Sequence, residues 1–339
     1  MKKQLLIVVA IFAAVNGVVG QTCATIGPLN PSATVPYTYA VNISAINGYN
    51  DAGNFTWYVT TDPQIITGTE IASTRSVITM GAGLTYGKTN PVAGQKSIVI
   101  SWSPEALAAT SPYYLVVKYG QNNGSCSASN MKVWKINPVN NFLLAIEAVD
   151  NSGATNPGVY CAADITNAII NDDHVTYSYG ENTFYSKVTA SNISGEWTPS
   201  VKIPTLNSGQ TIKELGWSTT VSGTYAAFPG AANSTGGEFS SQDKAIAAAD
   251  GSLPIFIKLV ISNGIWEGLE EQNLVIGVDG TYSNTALYDV KSSTDCAEED
   301  AFGKTVTQTI KARPAIISNT PSGNPLAFPT SPETNFLVP

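Results

Sequence analysis

Residues 53–59 read Gly-Asn-Phe-Thr-Trp-Tyr-Val, a run centred on the aromatic pair Trp57 and Tyr58. Turn signals enclose the run, with Asp51-Ala52-Gly53 at its start and Asp62-Pro63 shortly after it. Aromatic and β-branched residues between such breaks favour a short β-strand. We expect Trp57 to be buried, because a large indole in an apolar strand ordinarily lies in a core.

Similar short runs continue on both sides of this strand. Asn122-Asn123-Gly124 predicts a hairpin turn, and residues 103–108 predict a single helical turn between strands. This spacing indicates an antiparallel sandwich rather than alternating strands and helices. The first sandwich is expected over residues 21–137, with further strands at 37–43, 76–80, 96–102, 113–119 and 131–136.

Asn137-Pro138-Val139-Asn140 marks the predicted boundary, since proline cannot occupy a central strand. Residues 138–313 are then expected to form a second, larger sandwich with long loops or an extra sheet. Within it, residues 223–237 appear irregular in sequence and 243–249 predict a short helix, while 314–339 form a proline-rich extended tail. The predicted strands are 142–149, 174–179, 184–191, 195–202, 254–262, 272–278 and 304–311. The expected fold class is all-β, with two Ig/PKD-like antiparallel sandwiches in tandem.

The first twenty residues have the pattern of an export signal. Lys2 and Lys3 precede an apolar run over 5–15, and Val18-Val19-Gly20 places small residues before a cleavage site. The apolar run is too short to span a bilayer, and no second run approaches the length that a membrane helix needs. We therefore predict a signal peptide over 1–20 and a protein that is secreted or held at a bacterial cell surface, with the periplasm as the alternative.

Charge and composition narrow the class of function. The formal net charge is −8, and it becomes about −10 when Lys2 and Lys3 leave with the signal peptide. A nucleic-acid partner is not expected, because the sequence has no basic stripe to meet phosphates. Only 12% of residues are charged, while serine, threonine, asparagine and glycine are abundant, which is typical of β-rich extracellular proteins.

Two stretches carry a resemblance to a known group of proteins. Residues 53–59 resemble the central tryptophan-bearing strand of PKD-like and other Ig-like domains, and residues 132–138 resemble the last strand and Asn-Pro link between such modules. With the signal-peptide junction, they are similar to exported surface proteins of Bacteroidota, including those associated with gliding motility and type IX secretion. The resemblance implies a non-enzymatic structural or adhesive role, with a surface protein or polysaccharide as partner and assembly with other surface proteins.

Four cysteines in an exported chain predict two disulfides, for which three pairings exist. Pairing within each sandwich joins Cys23 to Cys126 and Cys161 to Cys296, and we take this pairing as the expectation. A metal or redox site is the alternative. It is disfavoured because the chain has no Cys-x-x-Cys motif and no histidine near its cysteines.

The sequence nominates no catalytic, cofactor-binding or metal-binding residue. His174 is the single histidine, and no Gly-x-Ser-x-Gly elbow supplies a nucleophile for it. Carboxylate pairs leave two alternatives open, a glycan hydrolase with an acidic pair and a calcium-binding loop without assigned ligands. These pairs are Glu270-Glu271, Glu298-Glu299-Asp300 and Asp172-Asp173.

A carbohydrate-binding module is the remaining alternative. Trp197, Trp217 and Trp266 flank glycine or polar turns, and they are the candidates for exposed aromatic platforms that stack on sugar rings. Packing in the core or at its rim is the more common outcome for tryptophan. Exposed aromatic rings on one face would favour the carbohydrate-binding hypothesis.

Overall fold

The structure, a computed structural model, describes residues 25–45, 48–71, 77–109, 111–124, 126–171, 174–282 and 287–315. The predicted signal peptide and most of the predicted tail lie outside these residues. The described chain is built of β-strands, which confirms the all-β prediction, and its helical structure consists of one 3₁₀ turn at Pro104–Ala108, where the sequence predicts a helical turn. No described helix is long and apolar enough to cross a membrane.

A first sandwich packs a three-stranded sheet, in the order β1-β5-β3, against a four-stranded sheet, in the order β4-β2-β6-β7. All of its ladders are antiparallel. Its strands are β1 (Pro36–Ala40), β2 (Asn54–Thr60), β3 (Ile78–Met80), β4 (Val92–Ala93), β5 (Ser97–Trp102), β6 (Tyr113–Asn123) and β7 (Cys126–Ile136).

Strand β2 explains why this sandwich forms. Phe55, Trp57 and Val59 alternate along the strand and enter one apolar core, as the period of two requires. Trp57 is 1% exposed. Its ring stacks on Trp134 at 5.9 Å between centroids, and its Nε1 donates to the carbonyl of Gln95 at 2.8 Å. The indole is therefore buried with its polar atom satisfied, as the sequence predicts.

The hairpin of β6 and β7 forms the outer part of the four-stranded sheet. Its register runs from Tyr113 opposite Ile136 to Asn123 opposite Cys126. The turn passes through Gly124, whose φ of 61° lies in the left-handed region that glycine adopts without strain. The predicted hairpin turn is confirmed, and β7 lies at the edge of its sheet.

A second sandwich packs two six-stranded sheets. One has the order β10-β11-β17-β13-β14 with β8 also paired to β11, and the other has β15-β12-β18-β19-β9 with β16 also paired to β12. Among the described strands, β9 and β19 pair in parallel and the other ladders are antiparallel. The strands are β8 (Leu143–Val149), β9 (Val159–Cys161), β10 (Ile165–Asn171), β11 (His174–Ser191), β12 (Gly195–Ile203), β13 (Thr211–Ser218), β14 (Ala226–Ala227), β15 (Gly237–Ser240), β16 (Ala245–Ala247), β17 (Ile255–Gly264), β18 (Gln272–Tyr282) and β19 (Lys304–Lys311).

Two parts of the second sandwich differ from the sequence prediction. The helix predicted over 243–249 is wrong, because Ala245–Ala247 forms β16 and pairs with β12. Ala245 and Ala247 are buried and Ile246 is exposed, so the segment follows the strand period. Residues 223–237, predicted to be irregular, contain the short strand β14 and reach the first residue of β15.

Both predicted disulfides are wrong, since Cys126 and Cys161 are free and exposed. Cys161 lies beside the middle of β11, where its carbonyl accepts a hydrogen bond from Asn182. Cys296 lies near the last residue of β11, with its Sγ 3.9 Å from Oδ1 of Asn141, just before β8, whose Leu143 pairs with Ser191. Nine strand residues of β11 separate the two places, a span of roughly 30 Å that no disulfide can bridge.

Cys126 opens β7 at the exposed tip of its hairpin. Cys296 is disulfide-bonded, to neither of the two free cysteines. Cys23 lies outside the described residues. Pairing by position in the sequence fails here because two cysteines of one sandwich, such as Cys161 and Cys296, need not lie within bonding distance of each other.

Alkylation of the native, unreduced protein with iodoacetamide should modify Cys126 and Cys161, because both thiols are exposed. Peptide mass spectrometry measures the labelled sites. Cys296 should take up the label only after reduction, and a reduced, denatured sample is the control. Protection of Cys126 or Cys161 in the unreduced protein would contradict the thiol assignment.

Replacing Trp57 with alanine should lower the free energy of unfolding by about 3 to 5 kcal/mol, because the change leaves a large cavity against Trp134. Urea denaturation followed by circular dichroism measures the shift. Tyr288→Ala removes an exposed ring and is the matched control. Equal urea midpoints for Trp57→Ala and the control would contradict the described packing.

Candidate binding cleft

A cleft of about 550 Å³ opens at one end of the second sandwich. One wall is the loop before β13, with Thr205 and Asn207, and the other is the segment from Trp266 to Asn273 that leads into β18. The cleft brings together Trp266 and the carboxylate pair Glu270-Glu271, which the sequence nominates for two different functions.

The walls combine one aromatic ring with amide and carboxylate groups. Trp266 is half-buried, with one side against the apolar core of the sandwich. Gly268 sits under the ring with a φ of 66°, and a Cβ there would lie 3.2 Å from the indole. Glycine at 268 therefore lets the chain turn tightly around the ring. The hydrogen-bonding groups of the walls are Asn207, Glu267, Glu270, Glu271, Gln272 and Asn273.

Buried amide side chains form a continuous hydrogen-bonded network beside the cleft. Gln210 and Gln272 exchange two bonds, with Nε2 to Oε1 distances of 3.0 and 2.9 Å. Gln210 Nε2 also donates to Asn263 Oδ1 at 2.8 Å, and Asn263 Nδ2 donates to Asn182 Oδ1 at 2.9 Å. All four side chains are buried. A satisfied network of this kind rigidifies the structure around it.

The amide network also holds backbone groups of neighbouring segments. Asn182 binds the carbonyl of Cys161, Asn263 binds the carbonyl of Gly180, and Gln210 accepts a bond from the amide of Asn207. It thereby joins β9, β11, β17, β18 and the loop before β13. These residues are not among the candidates that the sequence offers. The feature of the sequence that could have indicated them is an amide side chain within an otherwise apolar strand.

Arg313 ties the lip of the cleft to the end of β19. Its backbone amide donates to the carbonyl of Gly268 at 2.6 Å, and its Nε donates to the carbonyl of Glu267 at 2.9 Å. Its Nη2 donates to the carbonyl of Ala163, and the guanidinium lies 4.4 Å from the centroid of the Tyr179 ring. The loop that carries Trp266 is thus fixed from both sides.

The three carboxylates of the cleft differ in environment. Burial raises the pKa of Glu267, and the positive charge of Arg313 opposes this shift. Glu271 pairs with Lys311 at 2.5 Å, where both side chains are about half exposed, so the pair contributes little to stability. Glu270 is exposed. Glu267, which the sequence pattern does not single out, is therefore a carboxyl group whose neutral form is favoured by burial.

The other two candidate tryptophans, Trp197 and Trp217, do not form exposed platforms and pack in the core, which the sequence analysis takes as the more common outcome. Trp197 is 1% exposed and Trp217 is 7% exposed. Trp197 lies between β16 and β18 in its sheet, and Trp217 lies between β14 and β17. Both rings point into the core from strands with neighbours on each side, and Nε1 of Trp217 donates to Ser241 at 2.8 Å.

The remaining polar candidates do not assemble into a site in the described chain. The pair Asp172-Asp173 lies outside the described residues. Among the residues that are described, no three histidine, cysteine or acidic side chains are grouped so that they could hold a metal ion. The calcium hypothesis therefore stays without assigned residues.

A second cluster of ionisable groups surrounds Asp289. Asp289 is 2% exposed, and its pKa is raised to about 8. Burial is the largest cause, and a hydrogen bond with Asp279 and the negative charge of Asp279 add to it. Lys304 opposes the shift, and it pairs with Glu299 at 2.6 Å. The neutral form of Asp289 is therefore favoured in the folded protein.

The raised pKa of Asp289 predicts a pH-dependent stability. The unfolded group has a pKa near 3.8 and the folded one near 8, so its stabilising contribution is full below pH 4 and is lost as the pH rises to about 8. Asp289→Asn mimics the neutral form and does not lose this contribution as the pH rises. The free energy of unfolding of the variant minus that of the native protein should therefore be at least about 1 kcal/mol larger at pH 8 than at pH 5.

Urea denaturation of the native protein and of Asp289→Asn at both pH values measures this difference. Asp250→Asn, at a fully exposed carboxylate whose pKa is lowered, is the control and should not show the same trend. A stability difference for Asp289→Asn that does not change with pH would contradict the protonated assignment.

Comparison with known proteins gives structural neighbours but no sequence relatives. No family model matches the chain, and no curated protein matches it. The major pilin subunit BcpA*(D312A) of Bacillus cereus overlaps with a TM-score of 0.31 at 11% identity, covering 82% of each chain. The collagen binding domain of the Erysipelothrix rhusiopathiae surface protein RspB overlaps at 0.22 and 8%, covering 86% of this chain and 95% of that one.

The collagen adhesin of S. aureus overlaps with a TM-score of 0.19 at 12% identity, covering 84% of this chain and 89% of that one. Each of these three TM-scores is below 0.5.

Proposed function

We propose that this chain is a non-enzymatic adhesive module of a bacterial cell surface, and that the cleft beside Trp266 binds a polysaccharide. The observation that carries the proposal is the joining of Trp266 with amide and carboxylate side chains in one cleft. A flat ring offers an apolar surface to the C–H face of a sugar, while amides and carboxylates bind its hydroxyl groups.

The rigidity of the cleft supports the same proposal. The amide network and Arg313 hold both walls before any ligand arrives, so little conformational entropy is lost on binding. Sandwiches commonly place binding groups on loops at their ends, positioned by a rigid scaffold. The predicted export signal agrees with a ligand outside the cytoplasm.

Two finer parts of the proposal depend on the sequence alone. Residues 53–59 and 132–138 carry the resemblance to exported Bacteroidota surface proteins, so an association with gliding motility or type IX secretion stays a hypothesis. A surface protein in place of a polysaccharide is the other partner class. Gene neighbourhood would test the first, and the binding experiment below tests the second.

A glycan hydrolase is the second candidate function, and one observation favours it. Glu267 has a raised pKa and shares the cleft with Glu270 and Glu271, and a glycosidase needs one protonated and one ionised carboxyl group. We rank it below adhesion because Glu271 is engaged by Lys311. Release of reducing sugar by the native protein that is lost in Glu267→Gln would reverse this ranking.

Trp266→Ala should weaken polysaccharide binding at least about tenfold, because the ring supplies the apolar contact surface of the cleft. Affinity gel electrophoresis against a panel of neutral and acidic polysaccharides measures the change. Tyr288→Ala removes an exposed ring outside the cleft and should bind like the native protein. Absence of binding across the panel, or equal binding by both variants, would contradict the proposal.

A further inference from the structure

Strand β10 is an open edge of the second sandwich. It stands last in its sheet, and all seven of its residues are exposed. Its sequence is Ile-Thr-Asn-Ala-Ile-Ile-Asn, and Ile170 is 65% exposed. Natural edge strands are usually blocked by charge, proline or a covering segment. Within the described part of the chain β10 has none of these.

The edge is carried on a two-stranded arm. β10 pairs with β11 from His174 to Tyr179, whereas β17 begins to pair with β11 only at Tyr179. Ile169 and Ile170 lie on opposite faces of this arm, since neighbouring strand residues alternate. A two-stranded ribbon is marginal by itself, and a third strand would satisfy its outer backbone groups and cover its isoleucines.

The first sandwich also has an open edge, β7, which lies in a segment of opposite charge. β7 stands last in its sheet, and residues 126–132 are exposed. A groove of about 340 Å³ runs beside it, with Val117, Met131 and Trp134 among its apolar lining residues. Among the residues that the structure describes, no strand pairs with the outer side of β7, so this edge offers backbone groups and an apolar recess to an added strand.

Charge distinguishes the two edges clearly. Residues 106–146 contain three lysines and no acidic residue, and two of these lysines, Lys132 and Lys135, lie on β7 itself. Residues 160–186 contain four acidic residues and no lysine or arginine, with Asp164 directly before β10. In a chain with only 12% charged residues, each edge lies in a segment of a single sign.

We propose that β10 of one copy adds as a strand to the β7 edge of a second copy. Lys132 and Lys135 of β7 then lie near Asp164 at the start of β10, and Ile169 or Ile170 enters the groove beside Trp134. Pairing of β10 with another β10 is disfavoured, because antiparallel pairing about Ala168 would place acidic flanks of the two copies together. Because the two surfaces differ, the contact repeats head to tail and builds an open chain of copies.

The contact is expected to be weak and sensitive to salt. A single pair of edge strands buries less than about 1,200 Å², which is the size of weak, transient interfaces. Opposite charges at an exposed edge are screened at high ionic strength. Assembly should therefore grow with protein concentration and shrink when salt is raised.

Sedimentation velocity of the purified chain at increasing concentration tests the proposal with two blocked variants. Ile170→Lys places a positive charge on β10, and Lys132→Glu/Lys135→Glu makes the β7 edge acidic. Each variant alone should assemble at least tenfold more weakly than the native protein, whose mass should rise beyond that of a dimer. An equimolar mixture of the two variants should form dimers, since one intact β10 meets one intact β7.

Ile246→Lys is the matched control, because Ile246 is 50% exposed on β16 of the same sandwich and lies outside both edges. It should assemble like the native protein, and circular dichroism should show that all variants are folded. A native protein that stays monomeric would overturn the proposal. So would undiminished assembly by the β7 variant, a mixture that forms no dimer, or equal loss of assembly in the control.

Discussion

The hydrogen-bonded ladder of β11 is the interaction on which the second sandwich depends. This strand of 18 residues pairs with β8 along its second half, with β17 through its middle and with β10 at its start. It carries Asn182 into the buried amide network at the point where β9 meets it. One strand that is longer than the sheet around it therefore supplies both features. Its first residues form the arm with β10, and its Asn182 supports the amide network beside the cleft.

The parts of the fold that the sequence predicts are those whose side chains alternate cleanly. β2 and β6 were predicted because apolar residues recur at every second position and turn residues enclose them. β13 was missed because its register shifts between Ile212 and Glu214, which interrupts the alternation. β10 was missed for a different reason, since an exposed strand has no buried face to mark it.

The sequence predicts single residues of the candidate site but not that they lie together. Trp266, Glu270 and Glu271 attract attention by residue type, but their shared cleft depends on loops that converge from distant parts of the chain. The amide network joins side chains that are 53 to 81 residues apart. No local pattern encodes such a partnership, because each amide needs only a complementary group at the right place in space. The cysteines show the same limit, since the length of β11 keeps Cys161 from Cys296.

The buried carboxyl group of Asp289 couples folding to the pH of the solvent. Since burial raises the pKa of Asp289 from 3.8 to about 8 in the folded protein, unfolding at a pH between these two values releases a hydrogen ion to the buffer. The heat of unfolding then includes the heat with which the buffer takes up that ion. Calorimetric enthalpies for this chain are therefore comparable between buffers only after correction for buffer ionisation.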